Sequence, residues 1–203
     1  NLEEFLKRWR DYMRFADEAL TTIVNILPSF AGNPPMLMQT CCYAGNDQVA
    51  AMKAINPLLE LGTVLSQDIQ EKDYVEVLEE AHPPEGVTII VNNVLMRELT
   101  DDIVQAILAA REAKPDFILQ MRALGGAMNR VPADATAFSH RDCDVMLLSP
   151  TFLPADVSAE EAAEALKPWK SIEAFGVGAY SGFKSTATAE DLALLYPKAT
   201  YER

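Results

Sequence analysis

From Phe117 to Leu124 the chain alternates with a period of two. Phe117, Leu119, Met121 and Ala123 fall on one face of an extended strand, and Ile118, Gln120, Arg122 and Leu124 on the other. The first face is apolar throughout, whereas the second carries an amide and a guanidinium in mid-strand. Burying those groups without partners is costly. The segment therefore predicts a sheet with helices on one face and a polar or solvated surface on the other.

The rest of the chain fits that plan. Leu2, Phe5, Leu6, Trp9, Met13, Ala16 and Leu20 recur at helical steps and predict an opening amphipathic helix. Thr21 to Leu27 and Met36 to Tyr43 read as strands, separated by Pro28, Gly32, Pro34 and Pro35. Asn46 can cap a helix carrying Val49, Met52, Ile55 and Leu59, with Gly62 to end it and a strand from about Thr63 to Ile69 to follow. Val87 to Met96 is a β-branched run, and Thr100-Asp101-Asp102 starts a helix with acids in its first turn, which suits the helix dipole. Cys143 to Phe152 is a further strand, and Ser158-Ala159-Glu160-Glu161 is a capping box whose helix runs toward Trp169. Val177 to Phe183 reads as a short last strand and Thr188 to Tyr196 as a last helix. His82, within Ala81-His82-Pro83-Pro84, reads as a loop residue. The order predicts an α+β domain spanning 1–203: a largely antiparallel sheet, helices packed on one face, and two halves resembling ferredoxin-like split βαβ units.

Charge narrows the partners. Thirty acids against 17 bases give a formal net charge of -13, which opposes nucleic-acid phosphates and an anionic membrane surface. No uninterrupted apolar run reaches the roughly 18 residues of a membrane-crossing helix. Cys41, Cys42 and Cys143 match no metal-ligand spacing or disulfide framework, and the adjacent pair points to opposite faces of a strand. Reduced thiols, a cytoplasmic setting and no metal are the expectation. The chain starts at Asn1 without an initiator methionine and stops at Tyr201-Glu202-Arg203, so it reads as a piece of something longer.

Polar residues on strands are the candidates for chemistry. Gln39 shares a face with Cys41 and Tyr43, and Asn92 and Asn93 interrupt the third apolar run. If Gln39, Gln120, Arg122 and one of the asparagines, with Asn92 chosen, turn the same way, the sheet offers a polar surface opposite its helices. His140 draws attention because an imidazole titrates near pH 6.5; hydrogen-bonding a turn beside Arg141 is its other reading. A Cys143–His140 hydrolase is disfavoured, because residues three apart on a strand point to opposite faces and no orienting acid is evident.

Gly125-Gly126, Asn129-Arg130-Val131-Pro132, Asp134, Thr136-Ala137-Phe138-Ser139-His140-Arg141, Trp169 and Gly178-Ala179-Tyr180 occur in that order. Together with the Pro-rich lead into Leu37 and the Tyr43-Ala44-Gly45 step, they resemble the substrate domain of berberine-bridge-enzyme-like FAD-linked oxidases over nearly the whole chain. The resemblance implies a sheet lying over a flavin ring that a separate domain binds, a domain with no trace in these 203 residues. It implies an alcohol, phenol, amine or sugar oxidised by hydride transfer to FAD, with the flavin carrying the redox chemistry.

Carried over by residue, Tyr180 matches the tyrosine of the family's Tyr-x-Asn signature, with Gly182 where the family has asparagine. An ordinary phenol titrates near 10 and needs a neighbouring charge to accept a proton at neutral pH. Arg122 falls at a strand position where relatives have a catalytic or binding polar residue, and its cation suits a phenolate, a carboxylate or the reduced flavin. Gln120, Gln39, Asn92 and His140 are the expected substrate contacts. Gly125 and Gly126 are the expected close approach to the cofactor. The expected partners are a small-molecule substrate and the FAD-binding domain of the same polypeptide, and the isolated chain is expected to be inactive. The competing reading is a non-catalytic α+β module that binds a ligand or forms a homodimer through its exposed sheet face.

Overall fold

A computed structural model describes residues 1–30, 32–77 and 85–203; the loop expected around His82 lies outside the described residues. The sheet has five strands in the order β2-β1-β4-β5-β3, where β1 is Leu20–Leu27, β2 Met36–Tyr43, β3 Val87–Met96, β4 Leu119–Ala123 and β5 Val145–Pro154. Every neighbouring pair is antiparallel. The α+β class and the one-sided helix layer are as the alternation requires.

The helix layer is made by α1 (Leu2–Met13), α2 (Gln48–Leu59), α3 (Asp101–Ala113) and, beyond a short α4 (Ala159–Ala165), α5 (Lys167–Glu173). Phe5, Leu6 and Trp9 of α1, Ile55 and Leu58 of α2, Ile103, Val104 and Ile107 of α3, and Trp169 and Ile172 of α5 form one cluster. It includes the inward residues Val24, Ile26, Val94, Met96, Leu119, Met121, Val145 and Leu147 of the strands. Each side chain of this size, fully buried, contributes roughly 1.5–3 kcal/mol. Two polar groups in this layer are paired: the Trp9 indole donates to Thr22 Oγ1 at 3.1 Å, and Arg111 donates to the Phe117 carbonyl at 2.9 Å. Local signals set the helix starts. Thr100 caps α3 through Ile103 N, and Ser158 with Glu161 closes the expected capping box on α4.

Several boundaries differ from expectation for physical reasons. The first helix stops at Met13, because Leu20 is needed as the first inward residue of β1. Asp47 rather than Asn46 caps α2, accepting from Val49 N and Ala50 N, and Val49 faces solvent. Residues 63–69 form no strand, so the first half has no split βαβ unit. The second half has one: β3 and β4, joined by α3, flank β5. The predicted helix from Ser158 to Trp169 divides in two at Leu166, with Pro168 in the first turn of α5.

The expected strand at 177–183 is a single bridge between Leu95 and Gly178, followed by a tight turn at Ser181–Phe183. This arm runs along the outer edge of β3. Val177 N donates to Leu95 O and Leu95 N to Gly178 O, both at 2.8 Å, and Ser185 exchanges two hydrogen bonds with the Val91 backbone. Helices α6 (Ala189–Leu195) and α7 (Lys198–Tyr201) follow.

Gly176, where the chain leaves α5 for this arm, passes over buried Val94; a Cβ there would lie 1.8 Å from Val94 Cγ2. Gly176→Ala should lower the unfolding free energy by about 1–3 kcal/mol through overpacking. Urea unfolding checks this: the midpoint should fall with the slope unchanged, and a wild-type midpoint would contradict the close approach.

Candidate functional site

Strand register assembles the face opposite the helices. Asn25 pairs with Gln120, Gln120 with Leu148, and Leu148 with Asn93, forming one row across β1, β4, β5 and β3. Ile23, Arg122, Met146 and Leu95 form the adjacent row. Leu95 and Met146 pack with buried Cys143 under Leu124, Phe138, Val177 and Phe183. The outer face is therefore covered at its β5–β3 end, and Arg122 sits where that cover stops.

A polar chain runs along β4 into β1. Arg122 Nε donates to Gln120 Oε1 at 2.7 Å, and Gln120 Nε2 donates to Asn25 Oδ1 at 2.7 Å. Because the Gln120 oxygen accepts from arginine, its NH2 must face Asn25, so the amide has one orientation. Asn25 is a member of this polar chain that sequence reasoning missed, although the alternation of β1 opposes it to inward Val24 and Ile26.

The Arg122 guanidinium carbon lies over the Phe183 ring, 4.5 Å from the centroid. Phe183 meets Tyr180 edge to face at 5.7 Å, and Tyr180 meets Phe138 at 6.0 Å. Arg141 closes the far end, 4.9 Å over Phe138. Its three nitrogens donate to Phe138 O, Met128 O and Thr136 Oγ1, which ties the 136–141 run into a self-bonded loop. Burial, unopposed by any carboxylate, lowers the Arg122 pKa below its ordinary value. Phe138, Tyr180, Leu195 and Tyr196 line a hollow of about 190 Å³ beside the aromatic row.

Tyr180 and Phe183 are held from two sides. Asn93 Nδ2 donates to Tyr180 O and Phe183 O, both at 2.9 Å, and Asn93 Oδ1 accepts from Tyr180 N at 2.7 Å. Next in sequence, Lys184 turns to the helix side of β3. There its buried ammonium lies 3.0 Å from Asn92 Oδ1, 3.0 Å from Asp191 and 3.6 Å from Glu173. Gly182 stands in place of an expected asparagine, and the Tyr180 ring folds against its bare backbone: a Cβ there would be 2.6 Å from Tyr180 Cε1.

Among the expected site residues, Gln120, Arg122 and Tyr180 converge on this face. Gln39 does not: it pairs with Val24 and so turns to the helix side, where its Nε2 is buried without a partner among the described residues. Asn92 also faces inward, opposite Ser149, and Asn93 takes the outer position. His140 is buried beneath Gly178, with Nε2 3.0 Å from Leu194 O. A carbonyl only accepts, so Nε2 carries the proton and the ring pins α6 rather than reaching the polar face. Gly125 and Gly126 follow β4 with φ of 130° and 57°, and nothing lies within 4 Å of a Cβ built on Gly125. Burial, with Asp142 adding to it, pushes the Cys143 thiol up to about 11, away from thiolate chemistry. No metal-ligand cluster occurs among the described residues, and none of their helices is long and apolar enough to cross a membrane.

Burial works against ionisation of Asp191, but Thr186, Thr188 and Lys184 outweigh it and hold its carboxyl well below the ordinary 3.8. An unfolded chain takes up this proton near the ordinary value and the folded chain does not. The stabilisation is complete above that value and is lost as pH falls toward the folded one. Asp191→Asn should cost about 3 kcal/mol at pH 7 by leaving Lys184 short of a partner. It should also make the loss of stability below about pH 4 shallower than in the wild type. Urea unfolding across pH measures both, and a variant with wild-type slope would contradict the assignment.

No protein-family model and no curated protein sequence matches the chain. Solved structures do. The chain is similar to chitooligosaccharide oxidase at 13% identity and TM-score 0.78, covering 99% of this chain and 48% of that one. Against Physcomitrella patens BBE-like 1 the identity is 14% and the TM-score 0.78, over 98% and 46% of the two chains. Against 6-hydroxy-D-nicotine oxidase from Arthrobacter nicotinovorans the values are 18% and 0.72, over 99% and 47%. The chain thus spans about half the length of the solved structures it matches, and what it shares with that half of these oxidases is the fold.

Proposed function

We propose that the chain is the substrate-binding part of an FAD-dependent oxidoreductase, acting on an alcohol, phenol, amine or sugar. The observation that carries the reading is the Asn25–Gln120–Arg122 chain, held at fixed orientation on the outer face of a sheet whose other face is sealed by helices. The fold likeness to oxidases supports it. The residues fit one side of a flavin: the amides and guanidinium are donors on the outer face, and the space above Gly125 lets a flat ring approach the backbone. FAD, when bound by a further domain of the same polypeptide, would supply hydride acceptance.

The protein's own residues orient and screen. Arg122 supplies positive charge to a group that gains negative character, Gln120 fixes the guanidinium, and Phe183 and Tyr180 wall the substrate from water. Tyr180 is the proposed acceptor of a substrate hydroxyl proton. Gln39, Asn92 and His140, by their placement, have no part in this reading. Free cysteines at 41, 42 and 143 support a cytoplasmic setting.

A second reading is favoured by Met36, Met38 and Phe152, which are 39%, 50% and 48% exposed on the same outer face. It is a ligand-binding or homodimerising module without catalysis. The two readings separate by spectroscopy. The 203-residue chain mixed with FAD and desalted should be colourless. The polypeptide carrying the FAD-binding domain should hold oxidised flavin that bleaches on substrate addition, about a hundredfold more slowly after Arg122→Met. A longer polypeptide that binds no flavin would overturn the oxidase reading.

A further inference from the structure

We infer that the substrate held at this face is an aromatic carboxylate that carries the oxidisable alcohol or phenol at another position, its carboxylate bound through the free Nη edge of Arg122; the inference rests on the oxidase reading and names its substrate class. The argument starts from how the protein treats its arginines. Arg10 is paired with Asp11 and Asp101, Arg130 is bidentate on Glu18, and Arg141 spends all three nitrogens on protein acceptors. Arg111, half-buried like Arg122, lies in the last turn of α3, where the negative end of the helix dipole offsets its charge. Arg122 has neither compensation. Only its Nε finds a protein acceptor among the described residues, no carboxylate pairs with it, and it sits in mid-sheet. Among the half-buried arginines, Arg111 and Arg141 also lack a carboxylate but place Nη atoms on protein acceptors; Arg122 is the one with neither Nη bonded among the described residues.

Geometry then specifies the ligand. Gln120, itself fixed by Asn25, holds the Nε side, and the guanidinium carbon lies over the Phe183 ring. Nη1 and Nη2 have no acceptor among the described residues and together form a planar two-donor fork of the shape that takes a carboxylate through parallel hydrogen bonds. Phe183, in contact with the guanidinium carbon, begins an edge-to-face row with Tyr180 and Phe138, against which an aromatic ring attached to the carboxylate finds further quadrupole contacts. An amine would meet like charge at Arg122. A neutral sugar would leave the fork without the strong acceptor it lacks.

The probes are 4-hydroxybenzoate and its neutral counterpart 4-hydroxybenzyl alcohol, titrated into the 203-residue chain by calorimetry and by NMR of the arginine guanidinium nitrogens. The carboxylate should bind about tenfold or more tightly than the alcohol, as expected for a charge-assisted pair. The Arg122 resonances should move with the carboxylate and not with the alcohol. Arg122→Gln should erase the preference and Arg122→Lys should keep part of it. Equal binding of the two probes, binding of neither, or a preference that survives Arg122→Gln would overturn the inference. Should Arg122→Gln fail to fold, the wild-type resonances decide alone: carboxylate addition that leaves the Arg122 signals in place overturns it. The failures are distinguishable. Selective carboxylate binding by a polypeptide that never holds flavin removes the oxidase reading only. Flavin bleached by a sugar or an amine, with no carboxylate binding, removes only the assignment of substrate class.

Discussion

The pairing of β4 with β1 on one side and β5 on the other is the constraint on which the rest depends. β4 is the shortest strand of the sheet, yet it joins the β1–β2 hairpin to the β3–β5 pair. Its inward residues Leu119 and Met121 complete the core between strands that share no other connection. Since strand side chains alternate, the same pairing brings Gln120 beside Asn25 and Arg122 between Ile23 and Met146. A slip of one residue would expose the core and bury the guanidinium together. Stability and site geometry are therefore fixed by one register.

Much of this was legible in the sequence because it is local. Alternation within 117–124 marked the two-faced sheet, Val87–Met96 matched its run, and the Ser158–Glu161 capping box and the acidic first turn after Thr100 marked helix starts. What was not legible depends on contacts across the chain. Asn92 and Asn93 must face opposite ways; the register with β5 turns Asn92 inward with Val94 and Met96, and Lys184, distant in sequence, meets the inward amide. Gln39 shares its parity with Cys41 and Tyr43, and both of those pack on the helix layer. Sequence pattern alone had offered that shared face as a polar one. The 177–183 segment has strand-like composition but meets β3 at a single bridge, because Tyr180 and Phe183 are drawn onto the Asn93 side chain instead of a ladder.

The candidate site has two parts with different origins. The polar chain Asn25–Gln120–Arg122 belongs to the sheet and inherits its rigidity. The aromatic row Phe183–Tyr180–Phe138 comes from the last arm and from the 136–141 loop, both laid over a small apolar patch of Leu95, Met146 and Cys143. The cation–π contact of Arg122 with Phe183 is the seam between them. His140, which looks chemical in sequence, serves this assembly from below by tying α6 to the loop.

Phe183 and Lys184 are adjacent in sequence but serve opposite sides of the sheet, one at the open face and the other among Asn92, Asp191 and Glu173 behind it. The Lys184 fastening of the arm is thereby hidden from whatever occupies the open face. Side chains such as Tyr180 and Ile23 can be exchanged by evolution for new ligands while the rivet beneath stays untouched. That separation would let one scaffold diversify its chemistry without renegotiating its fold.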